Sequence, residues 1–192
     1  MMNIDELKKE LVKVSRRCYD RYLISATGGN VSCRVPGKNA MLIKSSGCAF
    51  SDMTELDVVM VDFDGNLLEG NKQLSKEWRF HAGILKARPD VNVVIHVHPP
   101  YATAIAANHD ELPLVTNHAK GYLKYVPTIG IASSGSELLA EYVMEQYKDP
   151  ERVAILMKEH GIITVGNSFN KAFYLAEMLE DTAKIALFSK LK

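Results

Sequence analysis

No segment of this chain reads as an export signal: the opening "MMNIDELKKELVKVSRRC" is charged and helix-patterned from its third residue, with no apolar stretch before a small-residue cleavage site. Long hydrophobic runs are missing too. Hydrophobic residues make up 47% and charged residues 24%, too polar for a membrane span and too apolar for a disordered tail. Cysteine is scarce. Cys18, Cys33 and Cys48 are odd in number and show no C-x-x-C spacing, which argues against a disulfide framework or a thiolate zinc knuckle and fits a reducing cytoplasm. Net charge is also absent: 23 basic residues balance 23 acidic ones, leaving no overall field to hold nucleic acid. The expected partner is a small molecule rather than nucleic acid or membrane. No repeat, linker or low-complexity tract divides the 192 residues, and one domain spanning 1–192 is expected.

Periodicity gives a mixed chain. Residues 3–23 place Ile4, Leu7, Leu11, Val14, Cys18 and Leu23 at helical intervals, predicting an opening helix. The period then drops to two: Val31, Cys33 and Val35 alternate with polar residues, and "AMLIK" follows the Pro36-Gly37 turn, predicting a hairpin. "LDVVMVDFDGNLLEG" predicts a third strand ending in the Asp64-Gly65 turn. From Ser75, the expected N-cap, Trp78, Phe80, Ile84 and Leu85 mark a helix that stops at Pro89. A strand around His96 and His98 and a short helix through "PYATAIAAN" come next, then a segment at 112–133 with no clear period. A helix over 136–147, strands "RVAILMK" and "IITV" about a His160-Gly161 turn, and a helix from about 168 complete the chain. The class that follows is α/β, a central mainly antiparallel sheet between helical layers.

The stretch "VVIHVHPPY" sets two imidazoles two residues apart in an apolar strand. Positions i and i+2 share a face, so one small ion can touch both His96 and His98, and burying both rings without a partner is costly. His160, in "MKEHGIITVG", sits at a turn beside a glycine, where it can be aimed at the same point. Three imidazoles leave one position of a tetrahedral zinc open, as in a catalytic site; manganese, cobalt and iron are also compatible with nitrogen ligands. His81 is expected to pack on its helix and His109 to lie exposed in a loop, while His118 is unassigned. Glu77 falls in the first turn of a helix, where the dipole favours its charge; by position alone it is an ordinary first-turn carboxylate. "TGGNVS" and "KSSG" are small polar turns able to cradle a phosphate, yet neither matches a P-loop or a dinucleotide fingerprint.

Taken in order, "GGNVS", "KSSG", "SKEWRFH", "RPDVNVVIHVHPPYATAIA" and "EHGIITVG" resemble the class II aldolase/adducin family over about residues 5–190. That family contains L-fuculose-1-phosphate aldolase, L-ribulose-5-phosphate 4-epimerase and sugar-acid-phosphate decarboxylases, and "EWRFH" favours the aldolases. The resemblance implies a three-layer α/β/α fold in which His96, His98 and His160 hold a divalent metal, usually zinc. Glu77 would stand beside it as acid/base and as a fourth ligand that substrate displaces. It also implies that Asn30, Ser46, Gly47 and Ser75 bind the substrate phosphate, with Gly29 shaping the loop, and that homotetramers carry active sites at subunit contacts. The implied reaction cleaves a ketose 1-phosphate to dihydroxyacetone phosphate and an aldehyde through an enediolate, whose charge the metal spreads as a Lewis acid.

Two departures bear on the activity. Lys76 stands where those aldolases carry a second phosphate-binding serine. It supplies a point charge for the phosphate or, as in family members that decarboxylate 3-oxo-tetronate 4-phosphates, meets a substrate carboxylate; decarboxylation is the alternative activity. A 4-epimerase is disfavoured because those enzymes carry aspartate at position 77, and a metal-free adducin-like module because three histidines and Glu77 are retained. In "LPLVTNHAKGYLKY" the tyrosine that a neighbouring aldolase subunit contributes has no counterpart, leaving His118 or Tyr122 as candidate acid for the leaving oxygen. The chain ends at Lys192, so the longer tail that covers the site in some relatives is expected to be missing.

Overall fold

The structure is a computed structural model and describes residues 2–189; the expectation about the chain's end at Lys192 lies outside them. Helix α1 (Ile4–Asp20) starts where Asn3 Oδ1 accepts from the Glu6 N–H at 3.0 Å and Glu6 accepts from the Asn3 N–H at 2.8 Å. Its buried face carries Leu7, Leu11, Val14 and Cys18. It ends earlier than its apolar period suggests, because Tyr22 takes a left-handed turn (φ 57) and Leu23 enters the core from beyond it.

The predicted hairpin is β1 (Asn30–Arg34) and β2 (Ala40–Lys44), paired antiparallel. The expected third strand is two: β3 (Val58–Asp62) and β4 (Leu67–Glu69). The Asp62 carboxylate turns the chain between them by accepting from the N–H groups of Asp64 and Asn66 at 2.9 and 2.8 Å. All three residues of β4 are exposed, so it shows no apolar alternation to read. Next come α2 (Trp78–Ala87), β5 (Val93–Val97) and α3 (Pro100–Asn108). The unreadable segment holds the seven-residue helix α4 (Asn117–Leu123), capped by the Thr116 hydroxyl, and the two-residue strand β6 (Thr128–Ile129). Both are too short to express a period. The chain closes with α5 (Glu137–Tyr147), β7 (Ala154–Met157), β8 (Gly161–Gly166) and α6 (Phe169–Phe188).

Among the described residues the strands form an eight-stranded sheet in the order β4-β3-β2-β1-β5-β8-β7-β6, antiparallel except for the β6–β7 pair. Helices α1, α3, α4 and α6 cover one face, around Leu11, Val31, Ile95 and Leu179. Helices α2 and α5 cover the other, around Ile43, Phe80, Val94 and Val143. The layers are therefore α/β/α, and alternation along β5 turns His96 to the same side as Val94, toward α2. No helix of the described residues is long and apolar enough to cross a membrane.

Register positions the site. Asn30 of β1 lies opposite His96 of β5, and His96 lies opposite Ile163 of β8. Two glycines let the flanking turns close on those strand ends. A Cβ on Gly29 (φ +68) would stand 2.8 Å from the His96 carbonyl oxygen, and one on Gly161 would overlap the Val97 carbonyl oxygen and come within 2.7 Å of His98 Cδ2. Gly161→Ala is expected to lower the unfolding free energy by about 3 kcal/mol, measured by urea titration; a loss near zero would show that the turn has room to relax.

Candidate active site

Helix α2 begins at Trp78 with Glu77 at its N-cap (φ −93, ψ 10), which corrects the expectation that Ser75 caps the helix. The Ser75 hydroxyl accepts from Asn30 Nδ2 at 3.1 Å as well as from the Glu77 N–H at 3.4 Å. Glu77 does not cap the helix with its side chain either. Its carboxylate, 6% exposed, turns into the site, where Oε2 accepts from Asn30 Nδ2 at 2.8 Å and Oε1 from the Ser134 hydroxyl at 2.9 Å. His96 Nε2 stands 3.2 Å from Oε2, and His160 Nε2 stands 3.2 Å from Oε1. Burial pushes the Glu77 pKa up, but His96 and the hydrogen bonds from His160 and Asn30 outweigh it and hold the carboxyl well below the usual range.

The three histidines converge. His96 Nδ1 donates to the Ile162 carbonyl at 2.9 Å, which leaves the Nε2 lone pair directed into the site. His98 Nε2 lies 2.9 Å from it, and the ligand atoms of His96, His98 and His160 all lie within 4.8 Å of one another. Two imidazole nitrogens settle at that separation with a proton or a cation between them, so this donor set fits a divalent ion. Glu159, at a left-handed φ of 56, is a strained position that turns the following His160 toward the pair. Burial, with His96 and His160 nearby, depresses His98 to about 3. Burial acts the same way on His96, but the adjacent Glu77 carboxylate reverses it and raises the pKa.

Beside the histidines opens a cavity of about 160 Å³. Gly29, Asn30, Ser46, Gly47, Ser75 and Lys76 all line it, together with Glu77, His98 and His160. Lys44 and Ser45 are among the other residues that line it. Lys44, at the end of β2, is 2% exposed; its Nζ donates to the carbonyls of Thr27 (3.4 Å) and Ser45 (3.3 Å). No carboxylate pairs with it among the described residues, and burial lowers its pKa. The Ser45 hydroxyl is buried with no hydrogen-bond partner among the described residues. A buried lysine with no direct ion pair and an unsatisfied buried hydroxyl on one cavity suit an anion.

The family described as Class II Aldolase and Adducin N-terminal domain matches residues 9–187. The chain belongs to the class II aldolase and adducin family. Its class II aldolase relatives include the L-fuculose phosphate aldolase of Methanococcus maripaludis, 33% identical over 92% of this chain and 93% of that one. The 5-deoxy-D-ribulose 1-phosphate aldolase of Bacillus thuringiensis serovar kurstaki is 30% identical over 96% of this chain and 85% of its own length. A solved L-fuculose 1-phosphate aldolase superposes with a TM-score of 0.91 at 32% identity, covering 99% of this chain and 88% of that one. With aldolases for relatives, this class II family member is an enzyme of the lyase type.

Of the site residues read from the sequence of this class II aldolase, only His118 lies elsewhere in the chain. It is exposed on α4, borders a separate groove with Arg21, Thr116 and Glu177, and packs against Tyr122 at 4.8 Å between ring centroids. His109, expected in the open, is half-buried at the end of α3 with Nδ1 3.3 Å from the Ile105 carbonyl. His81 does more than pack on its helix: it is fully buried, with Ser32 Oγ 2.7 Å from Nδ1 and Asn30 Oδ1 against Nε2. Lys44 left one unused signal, a lysine closing the strand "AMLIK", whereas Ser134 lies beside the unreadable segment and left none.

Burial, reinforced by His96, lowers the His81 pKa to about 3 from an ordinary 6.5. The unfolded chain takes up this proton near the ordinary value while the folded chain does not, so stability falls as pH drops through the window between the two. His81→Leu is expected to shrink the stability difference between pH 7 and pH 5 by about 2 kcal/mol, read by urea unfolding at both pH values. An unchanged difference would contradict a neutral, buried His81.

Proposed function

We propose that the protein is a zinc-dependent aldolase that reversibly cleaves a ketose 1-phosphate to dihydroxyacetone phosphate and an aldehyde. The observation that carries this is the buried Glu77 carboxylate, bracketed by His96 and His160 at 3.2 Å each, on the wall of an anion pocket. The names of relatives, among them 5-deoxy-D-ribulose 1-phosphate aldolase, support the substrate class.

Ser46, Gly47, Ser75 and the Gly29-Asn30 turn take the phosphate oxygens, while Lys44 and Lys76 supply positive charge. This remote binding energy holds the reacting carbons in place. His96, His98 and His160 would hold the divalent cation, with Glu77 beside them as a further ligand. When bound, the cation supplies Lewis-acid stabilisation of the charge that develops as the carbon–carbon bond breaks. The electron pair of that bond stays on the carbon next to the ketone, giving an enediolate, and the departing carbon becomes the aldehyde as its hydroxyl loses a proton. Glu77, charged in the free site, takes up a proton from solvent in the substrate complex and delivers it to the enediolate carbon; in the condensing direction it removes that proton. Asn30 and Ser134 keep the carboxylate aimed.

The proposal extends to a cytoplasmic homotetramer with sites at subunit contacts, where His118 or Tyr122 exchanges the proton of the leaving oxygen. Lys76 favours one alternative, metal-dependent decarboxylation of a sugar-acid phosphate, because it puts a second cation on the wall that already holds Lys44. Assayed side by side, a ketose 1-phosphate is expected to yield dihydroxyacetone phosphate and an aldehyde while a 3-oxo-tetronate 4-phosphate is left unchanged; carbon dioxide released from the latter together with dihydroxyacetone phosphate, with no cleavage of the ketose, would establish the alternative. Glu77→Gln is expected to keep the metal and lose about 100-fold or more in kcat, whereas His96→Ala loses both metal and turnover. An active Glu77→Gln protein would remove the acid/base role.

A further inference from the structure

We propose that Ser32 and His81 are positioning residues for this reaction: a buried, one-way chain of hydrogen bonds from Ser32 to His81 to Asn30 keeps the Asn30 N–H turned toward Glu77. The proposal rests on the acid/base role of Glu77 given above.

Two periodicities build the chain. Asn30 and Ser32 are two residues apart on β1 and share a face of the sheet; Glu77 and His81 are four apart at the start of α2 and share a side of the helix. Laying α2 over β1 brings the Ser32 hydroxyl to 2.7 Å from His81 Nδ1 and Asn30 Oδ1 against His81 Nε2. Ser32 and His81 are fully buried and Asn30 is 4% exposed, so solvent does not substitute for any link.

The direction follows from which atoms can donate. An asparagine amide has nearly the same shape either way round, so packing alone does not choose which end faces Glu77. The N–H end donates to Ser75 Oγ at 3.1 Å and to Glu77 Oε2 at 2.8 Å; the carbonyl end would set two oxygens against each other. Asn30 Oδ1 then only accepts, so His81 carries its proton on Nε2. Nδ1 is left as a lone pair, and the Ser32 hydroxyl donates to it. When Glu77 takes up a proton in the reaction, its hold on the Asn30 N–H weakens. The His81 N–H on the other end of the amide keeps it from turning, and the carboxylate returns to the same bonds for the next turnover. His81 acts through Asn30, without touching the substrate.

A double-mutant cycle separates positioning from packing. His81→Leu fills the space but offers Asn30 no donor, and should lower kcat by about 10- to 100-fold while circular dichroism stays that of the folded protein. In an Asn30→Ala background the same change should cost about 2-fold or less. Equal losses in the two backgrounds would overturn the positioning role. Nitrogen-15 spectra of the imidazoles read the chain without any activity: His81 should be the Nε2–H tautomer in the wild type and stay so in Ser32→Ala, because Asn30 Oδ1 only accepts, whereas Asn30→Ala should give a mixture. An Nδ1–H ring in the wild type, or a pure Nε2–H ring in Asn30→Ala, would overturn the chain. A protein that cleaves no sugar phosphate would defeat the functional proposal alone, with the tautomer still deciding the hydrogen-bond chain.

Discussion

A carboxylate buried among three imidazoles is the constraint on which the rest of this protein depends. Left alone, a charge as enclosed as Glu77 would cost several kcal/mol. Its partners come from four separate parts of the chain: Asn30 from β1, His96 from β5, His160 from the β7–β8 turn and Ser134 from the loop before α5. Satisfying them together fixes the sheet register, the start of α2 and the path of two turns at once. The glycines at 29 and 161 exist in that context, since both abut the backbone that carries His96 and His98.

The site has two chemically opposite ends, although the whole chain is neutral. One end gathers nitrogen lone pairs and a carboxylate, which suits a cation. The other gathers Lys44, Lys76 and small polar turns, which suits an anion. The anion end is a local liability: Lys44 is buried without a direct ion pair, and the Ser45 hydroxyl without a hydrogen-bond partner, among the described residues. Such violations of ordinary packing are found where a ligand completes the environment. Two apolar cores, one on each face of the sheet, supply the rigidity that lets these groups stay in place.

Much of this was legible in the residues, and the pattern of what was not has a physical cause. His96 and His98 announced themselves because a two-residue period survives in sequence, and His160 because a histidine beside glycine marks a turn. The helices with long apolar stripes, α1 and α2, were readable for the same reason, as was the mainly antiparallel sheet. Strand β4 was lost because it is wholly exposed, and α4 and β6 because seven and two residues carry no period. His81 sat at a helical spacing that predicts core packing, and its true partners lie 49 and 51 residues away. Ser75 looked like a cap, and its hydroxyl does accept from the Glu77 N–H, but the helix begins only at Trp78 and the same hydroxyl is shared with the distant Asn30. The phosphate role proposed for the polar turns and the acid/base role proposed for Glu77 rest on family resemblance, not on local physics.

Diffraction from zinc-loaded crystals, recorded on both sides of the zinc absorption edge, tests the central claim most directly. The account predicts one strong anomalous peak per chain, within about 2.0–2.1 Å of a ring nitrogen from each of His96, His98 and His160. A peak elsewhere, or none with zinc present in excess, would contradict it.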